Sequence, residues 1–533
     1  MADKKYFYVT TPIYYASGYL HIGHAYSTSI ADSIARYERL RGKIVYFLTG
    51  DDEHGQKIEE KAIAAGMKPQ EYVDKIAAGF QQTWKDLDIT NTDFIRTTQP
   101  RHVAVVKKVF TRLLQQGDVY KGEYIGWYCT PDESFFAESQ LKQPGNLCPV
   151  CGRPCHKESE EAYFLNCKKY VPQLLQFYKD HPDFAPGGKL TEVINTFIKP
   201  GLEDLCITRT SFTWGVPIDE DPRHIVYVWI DALLNYISAL GYLSDDDHLF
   251  KEFWGPDAEI VQLVGREINR FHTIYWPILL FALGLRLPDH VLVHGLLVTR
   301  SGVKLSKSLG NAPQPKPLID RYGLDALRYY MARGIKFGED GMFTPTLFVN
   351  LVNNDLANGY GNLVNRTISM IAKYDGGVIP AYKAFTSPIT EKLYADVALY
   401  VDQYEKAMDQ YQVTAGTEIA MNIVQAANKY IDDVSPWKAD KEGNKALVDE
   451  AMLALANAIR AASLLLSPFL VTKAKEALDE FNIPDDLRTL DSLADPKVLS
   501  GIKVNAPVPL FPRLNKDEEI KWLEDLIDVK EGK

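Results

Sequence analysis

The feature that most restricts the possible folds is a strand-like stretch near the N-terminus that leads into a long amphipathic helix. Residues 6–11 are β-branched and aromatic, which is typical of a buried strand. A turn with Pro12 and Gly18 follows, and apolar residues then recur at helical spacing across residues 20–41. Later stretches repeat this alternation, so we expect a doubly wound parallel sheet, in which ligands bind beyond the carboxyl ends of the strands.

Two histidines lie in the first turn of the predicted helix. His21 and His24 are three residues apart, so their imidazoles would stand one above the other beside the free N–H groups and the positive dipole end of the helix. Gly23 removes a side chain that would hold a nucleotide away from the backbone. The pattern predicts a phosphate site. Taken alone, a histidine pair that only satisfies the helix end would be the commoner arrangement.

A second candidate phosphate contact lies in the other half of the chain, in the sequence KLSKS at residues 304–308. Lys304 and Lys307 belong to a loop between two glycines that could close over a polyphosphate, although a Lys/Ser-rich loop alone is usually a solvated turn. In this order, on opposite halves of an α/β pattern, the histidine turn and the lysine loop resemble the HIGH and KMSKS signatures of class I aminoacyl-tRNA synthetases.

Other predicted strands also end in polar residues. A second strand at residues 44–49 is followed by Asp51 and Asp52, which could hold an ammonium group or order a metal–phosphate complex. Capping of the next helix is an equally good explanation for them. Neither a G-x-G-x-x-G nor a Walker A sequence follows these strands, which argues against a dehydrogenase or a P-loop NTPase. Further strands are predicted at residues 224–231, 258–265 and 290–297.

The cysteines predict a metal site in a reducing compartment rather than a disulfide framework. Cys148 and Cys151 form a Cys-x-x-Cys sequence flanked by Pro and Gly, which is half of a zinc knuckle. Cys129 is the natural third ligand, and Asp132 stands where a second Cys-x-x-Cys would be completed; Cys155 and His156 are alternatives for the fourth position. We expect structural Zn²⁺ here, and a metal-free knuckle is the alternative. The predicted ligands are Cys129, Asp132, Cys148 and Cys151.

Composition and charge narrow the class of protein. The 533 residues allow three or four domains, and 46% hydrophobic with 24% charged residues is ordinary for a globular chain. A net charge of −11 argues against binding nucleic acid by bulk electrostatics, so an RNA partner would need a local basic surface. We find no signal segment and no membrane-spanning stretch, and we expect a cytoplasmic protein.

The last third of the chain predicts an all-α bundle. Strand signals disappear between residues 348 and 495, and Gly/Pro breaks separate helical stretches. Asn358, Asn362 and Arg366 would share one helix face. Trp437 follows a helix break, where it could stack on an unpaired base or pack as a hydrophobic staple.

With these motifs in this order, and with Tyr-Val-Trp-Ile-Asp-Ala at 227–232 and Ser-Pro-Trp at 435–437, the whole chain is similar to the bacterial methionyl-tRNA synthetases. The resemblance implies a class I Rossmann catalytic domain split by a connective-peptide insertion with a zinc knuckle, followed by an all-α anticodon-binding helix bundle. The implied segments are residues 1–116 and 216–300 (the two catalytic halves), 117–215 (insertion), 301–347 (KLSKS loop and stem-contact fold), 348–500 (anticodon-binding domain) and 501–533 (tail).

The resemblance also implies site residues. Asp52 and the backbone at Ile13 would hold the methionine amino group, and aromatic side chains suit its thioether. The methionine pocket would comprise Ile13, Tyr15, Asp52, Trp229, Ala232, Leu233, Tyr236, Ile268, Phe271 and His272. The ATP site would comprise Tyr15, His21, Gly23, His24, Gly265, Glu267 (ribose hydroxyls), Leu297, Lys304 and Lys307, with His21, His24, Lys304 and Lys307 catalytic. Asn362, Arg366 and Trp437 would read the CAU anticodon.

The implied reaction activates L-methionine with ATP and Mg²⁺ to methionyl-adenylate and pyrophosphate, and then transfers methionine to the 3′ end of tRNA(Met) for translation initiation and elongation. Alignment and positive charge would supply the catalysis, without a side-chain nucleophile. The insertion is too short for the editing domain of relatives specific for Ile, Leu and Val, which favours methionine, with cysteine next. A small-substrate nucleotidyltransferase and a catalytically silent RNA-binding protein are the alternatives from other classes.

For partners, the resemblance implies methionine and the acceptor stem and anticodon of tRNA(Met), and we expect neither DNA nor membrane binding. Many bacterial relatives continue into a C-terminal oligonucleotide-binding-fold domain that dimerises. The present sequence stops before such a domain. It is expected to be either a naturally short form or a trimmed one. We expect this chain to be a monomer.

Overall fold

The structure, a computed structural model, describes residues 4–132, 134–136, 138–298 and 312–528. The chain forms two compact units, each assembled from segments that are distant in sequence. Unit 1 comprises the residues up to Leu20 with Ile44–Lys85 and Asn91–Gly295, and unit 2 comprises His21–Lys43, Asp86–Thr90 and the residues from Leu296 onward. This division is coarser than the segments predicted from the sequence, whose boundaries stay predictions.

A parallel five-stranded sheet and an antiparallel four-stranded sheet are the main β-structures of unit 1. Its strands are β1 (Tyr6–Tyr15), β2 (Ile44–Asp52), β3 (Asp93–Arg96), β4 (Val119–Cys129), β5 (Ser134–Phe136), β6 (His156–Leu165), β7 (Leu205–Cys206), β8 (Thr208–Arg209), β9 (Ile225–Val226), β10 (Ala258–Gly265) and β11 (His290–His294). The parallel sheet has the order β11-β10-β1-β2-β3 and the antiparallel sheet the order β5-β4-β6-β7, while β8 and β9 pair separately. The antiparallel sheet interrupts the parallel α/β pattern, as expected for the insertion.

The central strands are buried on both faces, which explains their continuous apolar sequence. Phe7, Tyr8 and Val9 of β1 are all without solvent exposure. The register between β1 and β2 shifts after Thr10, and pairing resumes at Ile13. Such an irregularity redirects the side chains that follow it. It therefore sets the direction of the residues at the carboxyl end of β1, where ligands are expected.

The helices of unit 1 cover these sheets. They are α2 (Gln56–Ala64), α3 (Pro69–Asp86), α4 (Pro100–Gln115), α5 (Val171–Asp180), α6 (Lys189–Val193), α7 (Val228–Leu233), α8 (Asn235–Ser238), α9 (His248–Phe253) and α10 (Trp276–Ala282). The last residue of α3, Asp86, belongs to unit 2. π-Helical turns at Ile194–Ile198 and Phe271–Tyr275 follow α6 and precede α10. A large apolar core fills the space between the parallel sheet and these helices.

Four predicted strands differ from the observed ones. The first continues through Pro12, where a turn was expected, to Tyr15, and the second continues past residue 49 to Asp52, because both stay paired in the parallel sheet. Residues 224–231 were expected to form one strand, but only Ile225–Val226 does so, and α7 begins at Val228. The stretch is mostly apolar and mostly buried, and a buried helix and a buried strand cannot be separated by hydrophobic pattern alone. The expected strand at 290–297 ends at His294, and Leu297–Val298 forms a separate strand, β12, of unit 2.

Unit 2 is mainly helical. β12 (Leu297–Val298) pairs in parallel with β13 (Gly341–Met342). Its helices are α1 (Ile22–Leu40), α11 (Pro315–Tyr322), α12 (Leu324–Arg333), α13 (Pro345–Leu351), α14 (Asn362–Asp375), α15 (Pro388–Met408), α16 (Val413–Val434), α17 (Pro436–Lys441), α18 (Lys445–Leu466), α19 (Lys473–Glu480) and α20 (Lys516–Asp528), with a π-helix at Val352–Gly361.

The helical bundle predicted for the last third of the chain is confirmed. α18 is its central element, since almost every residue from Val448 to Leu466 is buried and the helix packs against α14, α15 and α16. A helix that is apolar all round is expected at the centre of a bundle. Among the described residues, no helix combines the length and the apolar character that crossing a bilayer would require.

Candidate active site

The carboxyl ends of β1 and β2 bring together three residues of the predicted methionine pocket. Ile13 pairs with Gly50 and Tyr15 pairs with Asp52 in the parallel register. The Ala16 N–H donates to the Asp52 carbonyl oxygen at 2.9 Å, which extends the pairing past the end of the strands. Ile13, Tyr15 and Asp52 therefore lie at the edge of the sheet where parallel α/β folds bind ligands.

Two aromatic side chains of the predicted methionine pocket are stacked face to face. Trp229 of α7 and Phe271 have ring centroids 3.7 Å apart and an interplanar angle of 6°. Phe271 is the first residue of the π-helical turn Phe271–Tyr275, and such turns often occur at functional sites. Ala232 and Leu233 are carried by the same short helix as Trp229. The misassigned strand thus contributes a helix to the candidate site.

A second aromatic pair is joined by a buried hydrogen bond. The Tyr236 hydroxyl and His272 Nε2 are 2.7 Å apart, and His272 Nδ1 lies 3.0 Å from the Ile268 carbonyl oxygen. Because a carbonyl oxygen can only accept, Nδ1 carries the proton, and Nε2 accepts from Tyr236. Burial lowers the pKa of His272 to about 4, so the imidazole is neutral at neutral pH. The pocket wall is therefore aromatic and uncharged.

The two aspartates at the end of β2 differ in environment. Asp51 is fully buried, and burial together with the neighbouring Glu53 carboxyl raises the pKa of Asp51 well above its usual value. Glu53 itself accepts from Arg96 Nε at 2.7 Å and from the Thr98 hydroxyl. Asp52 is 9% exposed and points to the opposite face of the strand. Of the pair, Asp52 is the residue that can meet a ligand.

In unit 2, His21 and His24 form a reciprocal cap at the start of α1. His21 Nδ1 accepts the Gly23 N–H, and His24 Nδ1 accepts the His21 N–H, each at 3.0 Å. The ring centroids are 3.8 Å apart. A neutral imidazole that accepts at Nδ1 carries its proton at Nε2, so each ring can donate Nε2–H to a phosphate oxygen. The histidines both satisfy the helix end and remain chemically able to bind phosphate.

Gly23 has a packing role that the sequence did not reveal. A Cβ at this position would lie 2.9 Å from Cε1 and 3.0 Å from Nδ1 of the His21 imidazole. Any larger residue would push the ring from its capping position.

The first turn of α1 also contacts the segment that follows the lysine loop. The Ile22 N–H donates to the Pro313 carbonyl oxygen at 2.9 Å.

The remaining predicted ATP residues are divided between the units. Gly265 ends β10, and a Cβ there would lie 2.8 Å from Glu267 Oε2, so the Glu267 side chain folds back over the glycine. Leu297 belongs to β12 of unit 2. Lys304 and Lys307 lie outside the described residues.

The predicted metal ligands of the insertion come together. One ligand atom each from Cys129, Asp132, Cys148 and Cys151 lies within 4.8 Å of the other three. Asp132 Oδ2 is 3.0 Å from Cys148 Sγ and 3.5 Å from Cys129 Sγ, and the Cys129 and Cys151 sulfurs are 3.5 Å apart. The Val150 N–H donates to Cys148 Sγ at 3.3 Å, which orients that thiol.

The two alternative ligands lie outside this group. Cys155 is buried in the same small core as Cys129 and Cys148 and its thiol interacts with both, but it is not one of the four residues whose ligand atoms converge. His156 Nε2 is instead 2.7 Å from Glu158 Oε1, with half of the imidazole exposed. The geometry therefore favours Asp132 as the fourth member of the set.

The predicted anticodon residues lie on unit 2. Asn362 is exposed at the start of α14, and Arg366 Nη2 is 3.6 Å from Asp432 Oδ1 near the end of α16. Trp437, the second residue of α17, keeps 37% of its surface exposed. An indole with that much free surface can stack on a base as well as pack against a neighbour.

One buried polar group of unit 1 was not predicted. Asp231 Oδ2 lies 2.6 Å from His54 Nδ1, and Asp231 Oδ1 lies 2.9 Å from His102 Nε2. His102 Nδ1 in turn lies 2.7 Å from the Ser238 hydroxyl. The available signal was weak: Asp231 is a charged residue within an apolar stretch, where a buried charge requires partners.

Comparison with known families agrees with this architecture. The model of class I tRNA synthetases (M) matches residues 7–158 and 140–368. The model of the anticodon-binding domain of methionyl tRNA ligase matches residues 379–530. The two matches together cover most of the chain.

Individual relatives and solved structures extend over nearly the full length. The chain is 49% identical to the methionine–tRNA ligase of Halalkalibacterium halodurans, over 98% of this chain and 81% of that protein. It is 47% identical to the methionine–tRNA ligase of Bacillus subtilis, over 98% of this chain and 80% of that protein. The structure of Mycobacterium tuberculosis methionyl-tRNA synthetase in complex with methionyl-adenylate superimposes with a TM-score of 0.90 at 36% identity, covering 96% of this chain and 100% of that one.

Proposed function

Because this chain belongs to the class I tRNA synthetases, in the family of the methionine–tRNA ligases, we propose that it activates L-methionine with ATP and transfers the methionine to tRNA(Met). The family resemblance inferred from the motifs is thereby confirmed. The observation that carries the choice of substrate is the uncharged aromatic group formed by the stacked Trp229 and Phe271 and by Tyr236 with the neutral His272.

The pocket suits methionine at both of its ends. Asp52 accepts the ammonium group, with the backbone at Ile13, at the carboxyl edge of β1 and β2. The thioether lies against the aromatic side chains, where a polarisable sulfur makes favourable ring contacts. A neutral His272 matters here, because an imidazolium would require a charge or hydrogen-bond acceptor that a thioether supplies poorly. Ala232, Leu233 and Ile268 complete the apolar surface.

Adenylation proceeds by attack of the methionine carboxylate on the α-phosphorus of ATP, with pyrophosphate leaving. His21 and His24 donate Nε2–H to phosphate oxygens from the first turn of α1, where the helix dipole adds positive charge. Lys304 and Lys307 add two cations, and Mg²⁺ bound to the phosphates would add further positive charge. Tyr15, Gly265, Glu267 and Leu297 hold the nucleoside. The residues thus act by alignment and charge stabilisation, not as nucleophiles.

The second step attaches methionine to tRNA. The terminal ribose hydroxyl attacks the carbonyl carbon of the adenylate and releases AMP. We propose that Asn362, Arg366 and Trp437 contact the CAU anticodon, with Trp437 stacking on a base through its exposed indole surface. Six free thiols suit the reducing cytoplasm, and we propose that the chain works there as a monomer.

We further propose that Zn²⁺ binds Cys129, Asp132, Cys148 and Cys151. Three sulfurs and one carboxylate oxygen are a suitable donor set for tetrahedral zinc, and the ligand atoms already converge. The ion would stabilise the loops between β4 and β6. We expect about one zinc per chain by elemental analysis and loss of the metal in Cys148→Ser; Cys206→Ser, another buried thiol outside the group, should retain it. Equal zinc content in both variants would contradict the assignment.

The function is tested by ATP–pyrophosphate exchange with each of the twenty amino acids, without tRNA. Methionine alone should support strong exchange, since formation of the adenylate requires no tRNA in this scheme. Asp52→Asn should abolish most of the exchange, while Asp204→Asn, a carboxylate of the insertion that contacts Tyr120, should not change it. Exchange with a different amino acid would refute the pocket assignment, and no exchange at all would refute the activity.

A further inference from the structure

The buried group around Asp231 joins four elements of unit 1 through one carboxylate. Asp231 lies on α7, His102 on α4 and Ser238 at the end of α8, while His54 follows the last residue of β2 by two positions. Each of the four side chains belongs to a residue that is at most 5% exposed. Both carboxylate oxygens are engaged, at 2.6 Å and 2.9 Å. The carboxylate therefore cannot rotate without breaking a hydrogen bond.

The Asp231 carboxylate determines which nitrogen atom of each histidine carries the proton in this network. A carboxylate only accepts, so His54 donates through Nδ1 and His102 donates through Nε2. His102 Nδ1 lies 2.7 Å from Ser238 Oγ, which also lies 3.3 Å from the Asn235 carbonyl oxygen. Burial alone would raise the pKa of Asp231, but the two histidines lower it to about 2. Asp231 thus keeps its charge in a site without solvent.

The network lies behind the proposed methionine pocket. Residues two apart on a helix point to opposite sides, so Asp231 faces away from Trp229, which stacks on Phe271. Asp52, the proposed acceptor of the methionine amino group, lies two residues before His54. The hydrogen bond between His54 and Asp231 therefore ties the chain next to Asp52 to α7. α7 is only six residues long, and its N-cap residue Tyr227 makes no side-chain capping bond. Such a short helix needs tertiary contacts to keep its orientation.

We propose that Asp231, together with His54 and His102, is a positioning residue for methionine, which fixes the pocket helix α7 relative to the β2 end that carries Asp52. This inference rests on the proposed function. A hydrolytic role is excluded although Asp231, His102 and Ser238 follow the order of a catalytic triad. Ser238 is 2% exposed, and its hydroxyl is directed to His102 from the end of a buried helix, so it cannot meet a substrate.

The test compares KM for methionine with KM for ATP in the exchange reaction, with active sites counted by the adenylate burst. In Asp231→Asn we expect KM for methionine to rise by about tenfold to 100-fold and KM for ATP to stay within about twofold, because the pocket helix shifts while the nucleotide contacts do not involve it. A purely structural role would lower the number of active sites and leave both KM values unchanged.

Conservative variants separate the hydrogen bond from the side-chain volume. His102→Gln places an amide N–H near the position of Nε2 and should largely restore KM for methionine, whereas His102→Leu should raise it as Asp231→Asn does. The matched control is Asp289→Asn, whose carboxylate joins Lys4, Arg286 and the Ile260 N–H at the amino edge of the same sheet. It should leave both KM values unchanged.

The outcomes are distinct. A wild-type chain without methionine-dependent exchange would overturn the proposed function itself. A wild-type chain that exchanges, with Asp231→Asn showing a wild-type KM for methionine, would overturn only the positioning role. If Asp231→Asn does not fold, the His102 pair decides: equal KM values in His102→Gln and His102→Leu would refute the proposal, and a difference confined to methionine would support it.

Discussion

At the residue scale, one side chain can serve the fold and the chemistry through different atoms. His21 caps α1 through Nδ1, and the proposed phosphate contact uses Nε2. A sequence-based argument has to choose between a capping histidine and a functional one. The structure shows that the two roles are compatible, because accepting at Nδ1 places the proton at Nε2.

The two roles of His21 can be separated by substitution. The Asn amide oxygen can replace Nδ1 as cap acceptor, so His21→Asn should keep the melting temperature but slow adenylation by about 10²- to 10³-fold, because the Nε2 donor is lost. The Gln amide N–H reaches the position of Nε2, so His21→Gln should retain more activity while losing about 1 kcal/mol of stability with the cap. Thermal melting and pyrophosphate exchange measure both. Identical losses in the two variants would contradict the division of roles.

Because of His272, the free energy of unfolding should depend on pH. Burial lowers its pKa from the ordinary value of 6.5 to about 4. Between these values the unfolded chain binds a proton that the folded chain does not, so the free energy of unfolding falls as the pH falls, by about 1 kcal/mol per pH unit. Compared with wild type, His272→Gln should show a shallower loss of stability from pH 6.5 to 4.5 in thermal melts. Parallel pH profiles for the two proteins would refute the assignment.

At the element scale, sequence pattern predicted most of the regular strands and failed where a short helix is mostly buried. β1, β2 and β10 were recognised from β-branched and aromatic runs. Residues 228–233 were not, since α7 is too short and too apolar to show a helical period. The same reasoning missed the partners of Asp231: hydrogen bonds between residues more than a hundred positions apart leave no local signal.

α1 is held in unit 2 by a buried carboxylate. Asp32 Oδ2 lies 2.7 Å from Arg328 Nη2 of α12 and 2.7 Å from Arg36 Nε, and the Thr90 N–H donates to Asp32 at 2.8 Å. Burial would raise the pKa of Asp32, but the two guanidinium groups hold it below its usual value. Arg328 is itself 2% exposed. α1, whose first turn presents His21 and His24, is therefore fixed by a buried network. In it, the Asp32 carboxylate and the Arg328 guanidinium neutralise each other.

Removal of this charge should be costly. Asp32→Asn leaves the buried Arg328 guanidinium without its anion, which we expect to destabilise unit 2 by about 3–5 kcal/mol. Asp320→Asn removes the exposed partner of Lys316 on α11 and should have a much smaller effect, because solvent screens this pair. Denaturant unfolding monitored by circular dichroism compares the two. A loss in Asp32→Asn as small as that in Asp320→Asn would show that the buried pair does not stabilise the helix.

At the scale of the whole molecule, motif order identified the family more securely than any single site. The histidine turn, the cysteine-rich insertion and the tryptophan after a helix break were each ambiguous alone, and the family models then matched on both sides of residue 370. The division of the chain into two units could not be predicted from the sequence. α1 follows β1 directly in the chain but belongs to the mainly helical unit, because its long-range packing, not its position in sequence, decides where it lies.

The proposed anticodon residues include none of the residues of the proposed methionine and ATP sites, and this makes a prediction for tRNA charging. Trp437 lies on unit 2, whereas Asp52, Trp229 and His272 lie on unit 1. Trp437→Ala should lower kcat/KM for aminoacylation of tRNA(Met) by about 10- to 100-fold, since stacking on a base contributes about 1–3 kcal/mol. Methionine-dependent pyrophosphate exchange should be unchanged, because adenylation does not involve the anticodon. Leu399→Ala, which removes another exposed apolar side chain of the bundle, should affect neither reaction. If Trp437→Ala also slowed exchange, or left charging intact, the indole would be a packing residue and not a contact for the anticodon.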